Sequence, residues 1–333
     1  MGKRVTNFKR SRVNLAQRRL GAEVVFATDD FFAAKERLID DPEPIFVPDK
    51  FDDHGKWMDG WESRRRRGGG HDYCVLSLGP EPGLVESIVI DTSHFTGNFP
   101  PEASLEAVCS LDDVSVSNAQ WRPLTQKMLL EGDSRVTVKI HDQGPWTHIK
   151  LNIFPDGGVA RLRVYGRRSV DWAKKDASVA IDLAAIENGA VAIACNDEHF
   201  GVLSNLISPG KGINMGDGWE TRRRREQGHD WCIIELGHSG VVEKILIDTA
   251  FFKGNYPERC SIQGASVSSL DVSGLEADSS AWPEILSSQQ MSADSEHWFV
   301  DEINKHESIT HVRLNLFPDG GVSRLRLFGR ITK

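Results

Sequence analysis

The feature that most constrains this chain is that it is written twice. VNLAQRRLGAEVVFATDDFF (13–32) matches IDLAAIENGAVAIACNDEHF (181–200), and MDGWESRRRRGGGHDYCVLSLG (58–79) matches MGDGWETRRRREQGHDWCIIELG (215–237). Further on, VESIVIDTSHFTGNFPPEAS (85–104) matches VEKILIDTAFFKGNYPERCS (242–261), and HIKLNIFPDGGVARLRVYGR (148–167) matches HVRLNLFPDGGVSRLRLFGR (311–330). A duplication of this length means two modules of one architecture, and 333 residues give each about 150, enough to bury its own core. We divide the chain into a flexible leader at 1–12, a first repeat at 13–168, a linker at 169–180 and a second repeat at 181–333. The stretches 105–147 and 262–310 differ in sequence and length, as surface loops and connecting strands do.

The periodicity inside each repeat is that of strands. VVFA, YCVLSLG, SIVIDT, HIKLNIF and RLRVYG are short, rich in β-branched and aromatic residues, and bounded by Gly, Pro, Asp or Asn. HIKLN and RLRVYGR alternate apolar with polar residues, so one face packs inward. Antiparallel sheets closed into a two-layer sandwich follow. FPDGG between two such strands predicts a hairpin, and NLAQRRLG and DLAAIENG predict a brief helix ended by glycine at each module's start. No βαβ alternation and no glycine-rich phosphate loop is present, which argues against a Rossmann or P-loop nucleotide site.

Composition removes further classes. At 39% hydrophobic and 26% charged residues, with no apolar run near the roughly 18 residues of a membrane helix, nothing is expected to span a bilayer. The basic N-terminus has no apolar region behind it and does not read as a secretory signal. A formal charge of −8 argues against a nucleic-acid surface, although local arginines suit a small anion. Five cysteines with no CxxC pair predict reduced thiols and a cytoplasmic protein, and Cys74 and Cys232 sit in apolar runs as structural thiols.

Chemistry is sought in the polar segments that both copies retain. Glu62 and Glu220 stand between a tryptophan and an arginine run, where guanidinium neighbours would keep the carboxylate ionised. In an extended chain Arg64 and Arg66 point to one side and Arg65 to the other, so one subset can face a pocket and grip a carboxylate. His71-Asp72 and His229-Asp230 offer a carboxylate beside a histidine, for proton transfer or simply for a turn. Asp91, Thr92, His94 and Asn98 lie where a strand ends in IDTSHFTGNFP, and this is the favoured catalytic segment. Its copy keeps Asp248, Thr249 and Asn255 but has Phe251 for His94, so the two sites are not equivalent. Trp61, beside Glu62, joins the candidates for substrate contact, although tryptophans at strands more often complete a core. Asp29, Asp30 and nearby histidines leave a divalent ion open, with no recognised ligand spacing.

Taken together, FATDDFF, PDKFDDHGKWMDGWESRRRR, GHDYC, IDTSHFTGNFPP and the closing FPDGG segment resemble the allantoicase family, over almost the whole chain. The resemblance implies two tandem jelly-roll, galactose-binding-like β-sandwich modules and hydrolysis of allantoate to ureidoglycolate and urea. Extended arginine runs and the 285–310 stretch depart from the family's plain pattern, and loop elaborations are expected there. For such a substrate the arginines of 64–67 would hold the carboxylate, Glu62 and Asp91 the ureido N–H groups, and His94 or His71 would protonate the departing nitrogen. Arg64, Arg65, Arg66, Asp72, Asn98, Glu220, Asp248 and Asn255 complete the set expected to contact substrate. Near-symmetric modules also suggest self-association. The competing expectation is a non-catalytic carbohydrate- or small-ligand-binding jelly-roll, on the strength of the fold and nine tryptophans.

Overall fold

The structure, a computed structural model, describes residues 13–110, 119–268 and 272–332. The chain forms two compact units, Val13–Ser169 and Val170–Lys333. Within the first, Val13–Asn14, Arg161–Arg168, Gly83–Asp91 and Arg135–Lys139 make one antiparallel sheet in that order. Met128–Leu129, Glu102–Val108, His148–Phe154, Asp72–Ser77 and Glu23–Ala27 make the other, with Arg122–Pro123 added beside Glu102–Val108.

The period-2 pattern decides what lies between the layers. Ile88 pairs with Val164 and Ile90 with Leu162 on one sheet, while Leu151 lies between Leu105 and Cys74 on the other; all seven are fully buried. Each such aliphatic side chain contributes about 1.5–3 kcal/mol on leaving water. The second unit repeats this plan, and both units are jelly-roll β-sandwiches.

The copies differ where proline intervenes. Asp72–Ser77 and Gly83–Asp91 are separate strands because Pro80 and Pro82 supply no N–H to a ladder between them. In the second unit LGHSG replaces LGPEPG, and one strand, Asp230–Asp248, runs on from pairing with Ile309–Phe317 to pairing with Arg324–Ile331.

Three expectations change. FPDGG is not the turn of a hairpin: His148–Phe154 and Arg161–Arg168 lie in opposite sheets, and Gly158–Val159 between them pair with Trp61–Glu62. Alternation is the same for strands joined by a hairpin or by a crossing between layers, so sequence pattern could not separate them. The second glycine answers a close approach, since a Cβ on Gly158 would come within 2.0 Å of the Phe95 ring. The brief helices are single 3-10 turns, Arg18–Leu20 and Ile186–Asn188, each ended by a left-handed glycine, Gly21 and Gly189. Finally, 285–310 is no loop elaboration, because Glu284–Gln290 and Glu296–Phe299 are strands of the sandwich.

Candidate active site

Glu62 is held from both sides by backbone. It pairs with Gly158 in the short ladder with the FPDGG crossing and exchanges two backbone hydrogen bonds with Ala33. Its side chain is half-buried, and Oε1 accepts a 2.7 Å hydrogen bond from Asn98 Nδ2. Burial pushes the carboxyl above the ordinary carboxylate value, and the Asn98 bond pulls it back only in part. Asn98 is itself fixed, since its carbonyl accepts the Gly158 N–H at 2.7 Å.

His94 approaches from the same loop on left-handed backbone, φ 69°, which its N–H supports by donating to Asp133 Oδ1 at 2.8 Å. Nε2 lies 3.1 Å from the carbonyl oxygen of Pro44, which can only accept, so Nε2 carries a proton and Nδ1 is the ring nitrogen left to act as a base. Phe46 stacks on the imidazole at 5.9 Å. The strap that carries Pro44 and Phe46 is tied down by buried guanidinium groups: Arg161 donates to the Pro42 carbonyl and pairs with Asp59 at 2.9 Å, and Asp59 accepts the Ile45 N–H.

These groups share one space. Glu62, Asn98 and His94 line a cavity of about 690 Å3, together with Asp133, His54 and Lys56. A second cavity, of about 310 Å3, is lined by Glu62, Asn98, Arg65 and Asp156 among others. Phe32 borders both, and also a third cavity of about 560 Å3 that contains Asp29 and Arg64.

The other candidates go elsewhere, for identifiable reasons. Asp91 does not line the 690 Å3 cavity; it is buried, accepts the Ser93 N–H at 2.8 Å and pairs with Arg135 at 2.9 Å, which shapes the turn leading to His94. Trp61 is wholly buried and donates its indole N–H to the Asp29 carbonyl at 2.8 Å, a core position that offers no platform for a sugar. Arg64 pairs with Asp29 at 2.6 Å and Arg66 with Asp72 at 3.1 Å, and Asp72 also accepts from Thr28. His71 contacts Asn152 at 3.1 Å and packs on Phe154, away from the residues that line the cavity. Of the arginine run, Arg65 is the member that reaches a cavity shared with Glu62.

The second unit shows which of these features are scaffold. Arg222 pairs with Asp197 and Arg224 with Asp230, as Arg64 and Arg66 do in the first, and His229 contacts Asn315 as His71 contacts Asn152. Asp248 accepts the Ala250 N–H as Asp91 accepts that of Ser93. Asn255 donates to Glu220, but Phe251 occupies the position of His94 with the same left-handed backbone, φ 72°.

Sequence reading missed His54, Lys56, Phe46 and Asp133. The available signal was length: Ile39 to Trp61 is ten residues longer than Ile207 to Trp219, and the added chain carries Phe46 and the Phe51–Lys56 hairpin.

Comparison with known proteins bears on what this site serves. The family model described as "Allantoicase repeat" matches residues 13–169 and again 181–332. A Burkholderia mallei protein named "Probable allantoicase 1" is 52% identical over 327 residues, spanning 98% of this chain and 96% of that protein. The crystal structure of allantoicase from Saccharomyces cerevisiae is 35% identical, with a TM-score of 0.79 over 96% of this chain and 94% of that one. The chain belongs to the allantoicase family. In this chain the two repeats keep the sandwich and its internal ion pairs, while His94 and the longer Ile39–Trp61 segment distinguish the first. For the divalent ion left open by the sequence, no group of three or more His, Cys, Asp and Glu converges among the described residues, so no residues are assigned to hold one. Nor is any helix among the described residues long and apolar enough to cross a membrane.

Proposed function

We propose that the first module carries the active site of an allantoate hydrolase, with Glu62, His94 and Asn98 as its reacting and positioning groups. The chain is a hydrolase of purine catabolism that converts allantoate and water to ureidoglycolate and urea. The observation that supports this placement of the site is the meeting of a half-buried carboxyl, raised by burial, and an imidazole with a free Nδ1 in one cavity.

In the reaction, water adds to the carbon that bears the carboxylate, and the bond from that carbon to one ureido nitrogen breaks. His94 Nδ1 takes a proton from the attacking water, and Glu62 in its acid form gives one to the departing nitrogen, so urea leaves neutral. Asn98 holds the carboxyl at 2.7 Å so that it does not swing away during turnover. Arg65 lines the smaller cavity with Glu62 and lies 3.8 Å from the Asp156 carboxylate. We leave Glu220, Asp248 and Asn255 out of this machinery because Phe251 supplies no base beside them.

Self-association and cytoplasmic residence belong to the same proposal. Phe51 at 68% exposure and Ile213 at 69% support the first, and five unpaired cysteines support a reducing compartment. The deciding assay is urea release from allantoate by the purified chain. No release would refute the hydrolase reading, and sedimentation of the same sample would refute self-association if only the 37.1 kDa species appeared.

A further inference from the structure

Binding an anionic substrate beside Glu62 and Asp133 requires a cation, and the arginine run does not bring one into the larger cavity. Arg64 and Arg66 are held by Asp29 and Asp72, and Arg65 opens onto the smaller space. The cationic side chain in the lining of the 690 Å3 cavity is Lys56. Its ammonium rests 4.5 Å from the centre of the Phe46 ring, the same ring that stacks on His94, and it makes no ion pair among the described residues. A cation on an aromatic face keeps its donors available while the face holds it in place.

Lys56 also belongs to the segment that separates the two repeats. The hairpin Phe51–Lys56 occurs in the unit that has His94, and the second unit lacks both the added residues and the histidine. A device that serves the reaction would be kept with the reacting group in this way, whereas the arginine pairs occur in both units.

We propose that Lys56 is the residue that recognises the substrate's carboxylate, with the ammonium on Phe46 fixing the anion so that the central carbon sits between Glu62 and His94. The substrate is then bound through its anion at the hairpin, with its ureido arms among the other residues of the cavity lining. This inference rests on the reading of the first module as the active site, and its test is built to fail separately from that reading.

The substitution is Lys56→Met, which keeps the aliphatic stem of an exposed side chain and removes the charge. Because the contact is made equally before and during reaction, kcat/KM for allantoate should fall about 10–100-fold, the range for a lost charged hydrogen bond, almost all of it in KM. The uncharged methyl ester of allantoate should be turned over by wild type and variant at rates within about twofold, and Lys56→Arg should restore most of the loss. An unchanged KM for allantoate, an equal loss on acid and ester, or transfer of the acid preference to Arg65→Met would each overturn the assignment. If wild type releases no urea, calorimetric titration with hydantoate, a carboxylated mono-ureide, still decides the matter. Binding about 10-fold weaker in Lys56→Met would sustain the lysine's role while the hydrolase reading fails, and equal binding would end both.

Discussion

Replacing Glu62 by Gln separates chemistry from scaffold more sharply than any other substitution here. The amide retains an oxygen that can accept the 2.7 Å bond from Asn98, and the two backbone bonds to Ala33 and the pairing with Gly158 do not involve the side chain. Relative to the ionised carboxylate, a charge-assisted bond becomes a neutral one, a difference of about 1 kcal/mol, and the penalty for burying a charge disappears; relative to the acid form neither changes. The fold should therefore survive with stability within about 1 kcal/mol of wild type. The catalytic loss is of another size: a general acid contributes about 100- to 10,000-fold, or roughly 2.7–5.4 kcal/mol of barrier. Urea release at saturating allantoate, with circular dichroism to confirm folding, measures both. Glu220→Gln is the internal control, with the same carboxyl–asparagine contact but no histidine, and should leave turnover within about twofold. Retention of more than a tenth of wild-type kcat by the Glu62 variant, or equal loss in the Glu220 variant, would refute the placement of the site. Stability against pH adds a sign. Burial raises Glu62, so the folded state binds this proton more tightly than the unfolded chain; the contribution is complete below about pH 4.3 and fades as pH rises through the folded value. Glutamine cannot ionise, so the variant's relative stability should increase from pH 4 to pH 8, and a decrease would contradict the assigned cause.

Other consequences can be checked as directly. His94→Phe copies the second repeat, where Phe251 holds the same left-handed backbone, so it should fold normally and lose about 100- to 10,000-fold in urea release; activity near wild type would remove the imidazole from the reaction. Arg161→Ala strands Asp59 and frees the strap at Pro42, and breaking a buried pair costs about 3–5 kcal/mol, or roughly 6–20 °C of melting temperature for a module of this size; a shift under about 2 °C would show that the pair is not structural. Burial pushes the thiols of Cys74 and Cys195 up to about 12, whereas Cys109 is exposed, so iodoacetamide at pH 8 should alkylate Cys109 alone in native protein, and mass spectrometry showing early modification of Cys74 would contradict the packing.

Much of the site's neighbourhood was legible in the sequence because it lies within motifs. IDTSHFTGN brings His94 and Asn98 together through one turn, and Glu62 precedes a distinctive run. Retention in both copies does not by itself separate cavity from scaffold: Glu62 and Asn98 line the larger cavity and are matched by Glu220 and Asn255, whereas other retained groups do not line it. The retained Arg–Asp pairs and the His71–Asn152 contact, each with its counterpart in the second unit, tie loops to sheets. The groups gathered with Glu62 instead include His94, His54 and Lys56, which come from the places where the copies part. A duplicated scaffold must preserve whatever holds its layers together, while loops outside that scaffold are free to differ between the copies.

Repetition, strand period and turn residues, all local properties, determined that this chain makes two β-sandwiches and which side chains fill them. Tertiary structure alone decided that FPDGG crosses between sheets, that Arg64 and Arg66 are engaged by Asp29 and Asp72, and that His94, Asn98 and Asp133, well along the chain, share one space with Glu62 and the Phe51–Lys56 hairpin. The reason is physical: alternation reports which face of a strand is buried but carries no term for which strand lies opposite or which carboxylate a guanidinium will meet, and those are settled only when the whole module packs.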